Sequence, residues 1–72
     1  MARITLQSEV TGTVWKLEVR VGDRVEAEQT LVVLESMKME IPLTAPRAGT
    51  VASLLVQEGE GVSEGQDLVV LE

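Results

Sequence analysis

The sequence LVVLE occurs twice in this chain, at Leu31–Glu35 and again, unchanged, at Leu68–Glu72. Shifting the chain by thirty-seven residues superimposes this pair without a gap and also places Gly12-Thr13-Val14 on Gly49-Thr50-Val51. Many apolar positions of the first half then coincide with apolar positions of the second. The chain is therefore an internal duplication, and we expect its halves to share one local structure.

Each half has the pattern of four short strands. Apolar and polar residues alternate in the longer segments, glycines interrupt the chain too often for a helix, and no stretch has a helical period. In the first half the predicted strands are residues 3–7, 13–20, 25–26 and 31–35. The second half repeats them from Met39, Val51, Val62 and Leu68.

Neither half can bury its apolar face alone, so the halves must close on each other. We therefore predict an all-β fold: a flattened eight-stranded barrel or sandwich of two four-stranded antiparallel sheets, related by an approximate two-fold axis. The predicted core consists of apolar strand positions and their counterparts thirty-seven residues later: Ile4, Leu6, Val14, Leu17, Val19, Val25, Leu31 and Val33.

Some positions recur in register and others break the repeat. The recurring glycines are predicted to be turn or bulge positions, namely Gly12, Gly22, Gly49 and Gly59. Glu28 stands where the second half has Gly65, and Ser8 stands where it has Ala45. Trp15 falls on Ala52, so symmetric packing does not require it, and we expect it to be partly exposed.

The composition excludes several classes of function. Seventy-two residues make one small domain, 1–72. Because the chain has no cysteine and no histidine, we predict no disulfide, no thiolate metal site and no catalytic triad. A net charge of −6 with one aromatic residue argues against nucleic acid. The N-terminus lacks a signal-peptide core and no run approaches the roughly 20 apolar residues of a membrane span, so we expect a cytoplasmic protein that does not bind membranes. We also expect it to be a monomer.

Between the two halves lies Glu35–Glu40, with the sequence ESMKME. Apolar runs flank this segment on both sides, which predicts a β-hairpin with Lys38 at or beside its tip. The turn has no Gly, Asn or Asp, so it is expected to store backbone strain of about 1–3 kcal/mol per strained residue. By alternation Met39 shares a face with Ile41 and Leu43 and is expected to turn partly inward.

The segment Glu35-Ser36-Met37-Lys38-Met39 resembles the biotin-attachment motif of biotinyl (biotin carboxyl carrier) domains, in which the lysine between two methionines carries biotin in amide linkage. The resemblance extends over nearly the whole chain and is closest to short, free-standing biotin/lipoyl attachment proteins. It implies a barrel-sandwich hybrid fold with biotin on Lys38. It also implies that Glu35, Ser36, Met37 and Met39 are recognised by a biotin protein ligase.

The resemblance implies a carrier without catalytic residues of its own. Two flanking carboxylates favour the charged lysine, so the ligase must remove its proton and supply biotinyl-adenylate. The attached biotin would then carry carboxyl groups as carboxybiotin from a biotin carboxylase to a carboxyltransferase. Because Lys38 is the counterpart of the chain ends under the thirty-seven-residue shift, its cargo is expected to project away from them.

Two alternatives remain open at this point. Lipoyl carriers of dehydrogenase or glycine-cleavage complexes have a similar fold but usually have Asp-Lys, so Met37 and Met39 disfavour lipoate without excluding dual modification. An unmodified adaptor domain of lipoyl-like fold would make Lys38 incidental. Lys16, in the middle of a strand, is a poor acceptor, and Glu35 with Glu40 lacks the neighbours of a catalytic carboxylate pair.

Overall fold

The computed structural model describes residues 3–72 and contains eight β-strands within them. In chain order the strands are β1 (Ile4–Gln7), β2 (Gly12–Leu17), β3 (Arg24–Val25), β4 (Thr30–Ser36), β5 (Met39–Thr44), β6 (Gly49–Leu54), β7 (Gly61–Val62) and β8 (Asp67–Leu71). No helix in this part of the chain is long and apolar enough to cross a membrane.

The strands form two four-stranded sheets, ordered β1-β8-β6-β3 and β5-β4-β2-β7, and every pairing is antiparallel. If four is added to each strand number, and counting returns to β1 after β8, the order of the first sheet becomes that of the second. Each sheet takes two strands from each half of the sequence, so neither half forms a sheet alone. The predicted all-β fold with two four-stranded sheets and an internal two-fold repeat is confirmed.

Hydrogen bonds repeat at the same thirty-seven-residue interval. The amide of Gly22 donates to the carbonyl of Val51, and the amide of Gly59 donates to the carbonyl of Val14, both at 2.8 Å. Gly22 has a φ of 97° and Gly59 one of 86°, in the left-handed region that glycine adopts without steric cost. These two glycines occupy turns, as predicted.

Gly12 and Gly49 are neither turn nor bulge residues, so that part of the prediction is wrong. They begin β2 and β6, where the backbone of another strand passes close by. A Cβ on Gly49 would lie 2.7 Å from the carbonyl oxygen of Glu72, and a Cβ on Gly12 would lie still closer to that of Glu35. These positions require glycine because a side chain would collide with the neighbouring backbone.

Symmetric β-bulges decide which residues enter the core. The β4–β5 register runs from Thr30 directly to Val32, so Leu31 has no partner, and Leu68 is skipped in the same way in β8. A bulge places two consecutive residues on one side of the strand and reverses the alternation beyond it. The buried residues of β4 are therefore Leu31, Val32 and Leu34.

The predicted core is consequently wrong at Val33 and at its counterpart Val70, which are only partly buried. It is also wrong at Ile4, which is only partly buried and is not among the residues packed against the core. The buried apolar residues are Val14, Val19, Val25, Leu31, Val32, Leu34, Ala45, Val51, Val56, Val62, Leu68, Val69 and Leu71. Partly buried residues pack against them, among them Leu6, Leu17, Ile41, Leu43 and Leu54. Trp15 is skipped in the β2–β4 register and is 52% exposed, in agreement with the prediction for it.

Candidate functional site

The hairpin of β4 and β5 carries the sequence motif at its tip. The last cross-strand pair is Ser36 with Met39, so only Met37 and Lys38 form the loop. Both have left-handed backbone conformations, with φ of 52° and 65°. Two such residues in succession are characteristic of a type I′ turn, whose twist matches that of the strands it joins. The predicted hairpin with Lys38 in its turn is confirmed.

This turn conformation is unfavourable for the residues that adopt it. The left-handed region costs a residue with a Cβ about 1–2 kcal/mol, and type I′ turns therefore prefer Asn-Gly. The ladder of β4 and β5 imposes the conformation, because it pairs residues up to Ser36 and Met39 and leaves no room for a longer loop. The strain predicted from the absence of Gly, Asn and Asp thus has a structural location.

The side chains of the tip are exposed to solvent. Met37 is 92% exposed, Met39 is 66% exposed, and Lys38 is also exposed. The expectation that Met39 turns inward is wrong, because β5 is an edge strand and its burial begins only at Ile41. The two methionines instead present apolar surface on both sides of the lysine, an arrangement typical of a contact surface.

The base of the hairpin is fixed to the body of the domain. The Ser36 hydroxyl donates to the carbonyl of Thr11 at 3.0 Å, and the Thr11 hydroxyl accepts from the amide of Glu64 at 3.2 Å. Because Gly12 has no side chain, the carbonyl of Glu35 on the neighbouring strand β4 can lie against it. Sequence reasoning did not identify Thr11, whose neighbouring Gly-Thr-Val repeat was the only available signal.

Charge at the site is arranged around an unpaired lysine. Glu35 and Glu40 are exposed and directly opposite each other in the β4–β5 ladder, where like charges are destabilising. Within residues 3–72, Lys38 has neither an ion pair nor a hydrogen bond. Lys16 differs in this respect, because its Nζ lies 3.7 Å from Glu18 Oε1. Both lysines are exposed, and within residues 3–72 only Lys16 is in an ion pair.

The site presents its lysine without enclosing it. Two surface grooves lie near β5, and their lining residues include Leu34, Ile41 and Leu43 but none of residues 35–40. Among the described residues there is no group of three or more Asp or Glu side chains suited to a metal ion. The site therefore offers an exposed amine that neither groove encloses.

Comparison with known proteins identifies the family of this chain. The model of the biotin/lipoyl family, described as "biotin-requiring enzyme", matches residues 4–71. The chain is 44% identical over 45 residues to the biotin/lipoyl attachment protein of Bacillus subtilis (strain 168), a match that covers 62% of each chain.

Solved structures of carboxylases contain a similar domain. The urea carboxylase of Kluyveromyces lactis matches 100% of this chain with a TM-score of 0.93 and 35% identity. A single-chain, multi-domain long-chain acyl-CoA carboxylase matches 94% of it with a TM-score of 0.89 and 37% identity. This chain spans only 6% and 7% of those two proteins. The extent of the family match shows that the chain belongs to the biotin/lipoyl attachment family.

Proposed function

We propose that this chain is a biotin carrier, acylated on Lys38 by a biotin protein ligase, that serves a biotin-dependent carboxylase. The observation that carries the proposal is the position of Lys38, which is exposed and unpaired in a two-residue turn between two exposed methionines. A covalently tethered cofactor fits this site, because the amine is exposed and neither of the two grooves described above includes a residue of the hairpin tip.

The ligase has to supply the chemistry of attachment. Within residues 3–72 no carboxylate lies within ion-pair distance of Lys38 Nζ, so none of these residues is placed to take a proton from the amine during attack. The ligase therefore takes one proton from the ammonium group, and the neutral Nζ attacks the biotin carbonyl carbon of biotinyl-adenylate. As the C–N bond forms, the C–O bond to AMP breaks, AMP leaves, and Nζ gives a second proton to the ligase or to solvent. Met37 and Met39 offer apolar contact to the ligase, while Ser36 and Glu35 hold and present the base of the turn.

Biotin is favoured over lipoate for two reasons. Methionines stand on both sides of Lys38, in the pattern that resembles biotin attachment, and the similar structures described above are both carboxylases. When bound, biotin supplies a ureido nitrogen that takes up and releases a carboxyl group. The chain itself contributes no catalytic residue to that chemistry.

The carrier role follows from the tether. A group attached at the end of the Lys38 side chain moves with an exposed hairpin tip, so it can reach a biotin carboxylase and then a carboxyltransferase without tight binding to either. We propose that the chain acts as a cytoplasmic monomer in this exchange, and that its negative charge favours encounters with basic partner surfaces.

The test is biotinylation in vitro with a biotin ligase, ATP and biotin, followed by intact mass and peptide mapping. We expect one biotin on the wild-type chain, none on Lys38→Arg, and one on Lys16→Arg, which is the matched control because the chain has no third lysine. Labelled Lys38→Arg would refute the site. Modification by a lipoate ligase but not by the biotin ligase would support the lipoyl alternative, and no adduct with either would support an unmodified adaptor.

The carrier function has its own assay. The biotinylated chain, mixed with a biotin carboxylase, ATP and labelled bicarbonate, is expected to acquire label, and the unmodified chain is not. Addition of a carboxyltransferase and its acceptor should then remove the label from the chain. A biotinylated chain that never acquires label with several biotin carboxylases would contradict the proposed role in carboxylation.

A further inference from the structure

We propose that Gly12, with Thr11, positions the Lys38 hairpin for acylation, although both lie far from the lysine in sequence. This inference rests on the proposed function, because its main readout is the ligase reaction. The residues act through the end of β4: they touch neither Lys38 nor its cargo, and they hold the two residues that precede the turn.

Two contacts hold the end of β4, and we call them together the brace: the close approach of Gly12 to Glu35 and the hydrogen bond of Ser36 to Thr11. Gly12 lies on β2 beside the end of β4, and a Cβ there would collide with the Glu35 carbonyl oxygen and come within 3.2 Å of Ser36 Cβ. One residue earlier, the Thr11 carbonyl accepts a hydrogen bond from the Ser36 hydroxyl at 3.0 Å. The first contact therefore limits how closely the end of β4 approaches β2, its neighbour in the sheet, and the second ties Ser36 to Thr11.

The turn that follows cannot compensate for a shift at its base. Met37 and Lys38 already occupy left-handed conformations, and the loop has no further residue that could absorb a displacement. A displacement of the Glu35 carbonyl therefore moves the lysine and both methionines together. Since a ligase must align the amine with its acyl donor, such a displacement lowers the rate of acylation while leaving the amine exposed.

The internal repeat supplies a matched control. Gly49 is the counterpart of Gly12, and its Cβ would lie 2.7 Å from the carbonyl oxygen of Glu72. Gly49→Ala thus introduces the same kind of collision beside Glu72, the residue that follows β8, and not beside the hairpin. Any general effect of the added methyl group on folding should appear in both variants, whereas an effect on the hairpin should appear only in Gly12→Ala.

The experiment compares wild type, Gly12→Ala and Gly49→Ala. We expect kcat/KM for biotinylation to fall about tenfold to a hundredfold in Gly12→Ala, as small misplacements of reacting groups do. Gly49→Ala should match wild type. A small N-hydroxysuccinimide ester should acylate Lys38 equally fast in all three, because the lysine stays exposed. Equal losses in the two variants, or no loss in Gly12→Ala, would overturn the inference.

Amide hydrogen exchange separates this inference from the proposed function. Gly12→Ala should accelerate exchange at Met37–Glu40, and Gly49→Ala should not, whether or not any ligase modifies the chain. If the ligase leaves wild type unmodified, the proposed function fails and this exchange pattern alone decides the brace. If Gly12→Ala does not fold, Ser36→Ala replaces it, since it removes the bond to Thr11 without adding bulk. Unchanged exchange at the tip of that variant would contradict the brace.

Discussion

Replacing Met37 by Asn should stabilise the domain while impairing its modification. Met37 has a φ of 52°, which costs a methionine about 1–2 kcal/mol and an asparagine clearly less. Because the side chain is 92% exposed, its removal forfeits about 0.2 kcal/mol of apolar burial at most. We expect a net gain of about 0.5–1 kcal/mol in the free energy of unfolding, which corresponds to a rise in Tm of about 2–8 °C for a domain of this size.

Urea unfolding followed by the fluorescence of Trp15, the single aromatic residue, measures this gain. Met39→Asn is the matched control: the same chemical change at a residue without positive φ should give no gain, and a small loss from its strand position. The kcat/KM for biotinylation of Met37→Asn should fall, because the apolar contact beside Lys38 is lost. If Met37→Asn is no more stable than wild type, or if Met39→Asn gains equally, the strained-turn argument is wrong.

Three further predictions concern stability. Glu28→Gly should raise the free energy of unfolding by about 0.5–1 kcal/mol because Glu28 has a φ of 69°, whereas Gly65→Ala, at the counterpart with a φ of 86°, should lower it by about 1 kcal/mol. If the two variants shifted the urea midpoint in the same direction, this prediction would be wrong. Glu40→Arg should raise the free energy of unfolding by about 0.2–1 kcal/mol, because it replaces the like-charge pair with Glu35 across the β4–β5 ladder by a pair of opposite charges. A gain in stability that does not shrink in high salt would exclude the electrostatic cause. Leu34→Ala should cost about 2–5 kcal/mol and Val33→Ala much less; the reverse order in thermal unfolding would refute the bulge register.

The architecture was predictable because duplication is visible in the letters of the chain. The identical segments at 31–35 and 68–72 predicted two equivalent halves, and burial then required that they close on each other. The lysine turn was equally accessible, since two apolar runs separated by a few residues predict a hairpin whatever its turn residues are. Both predictions depend on patterns that can be read directly from the sequence, and both are confirmed.

The errors arise where a residue's role depends on a partner distant in sequence. Alternation placed Val33 inside, but the bulge at Leu31 reverses the faces beyond it, and only the pairing with β5 shows that bulge. Gly12 was predicted to be a turn or bulge residue because glycine recurs there in the repeat. Its actual role depends on the carbonyl of Glu35, which belongs to another strand and is distant in sequence. Met39 was placed inward because alternation does not tell where the core ends along an edge strand.

Biotinylation of Lys38 is tested most directly by the mass of the chain isolated from cells that contain both a biotin ligase and a lipoate ligase, with both cofactors supplied. We predict a single biotin, located by fragmentation on the peptide that contains Lys38. A lipoyl group on that peptide, a biotin on Lys16, or a chain that stays unmodified while a known biotin carrier in the same cells is labelled would contradict it.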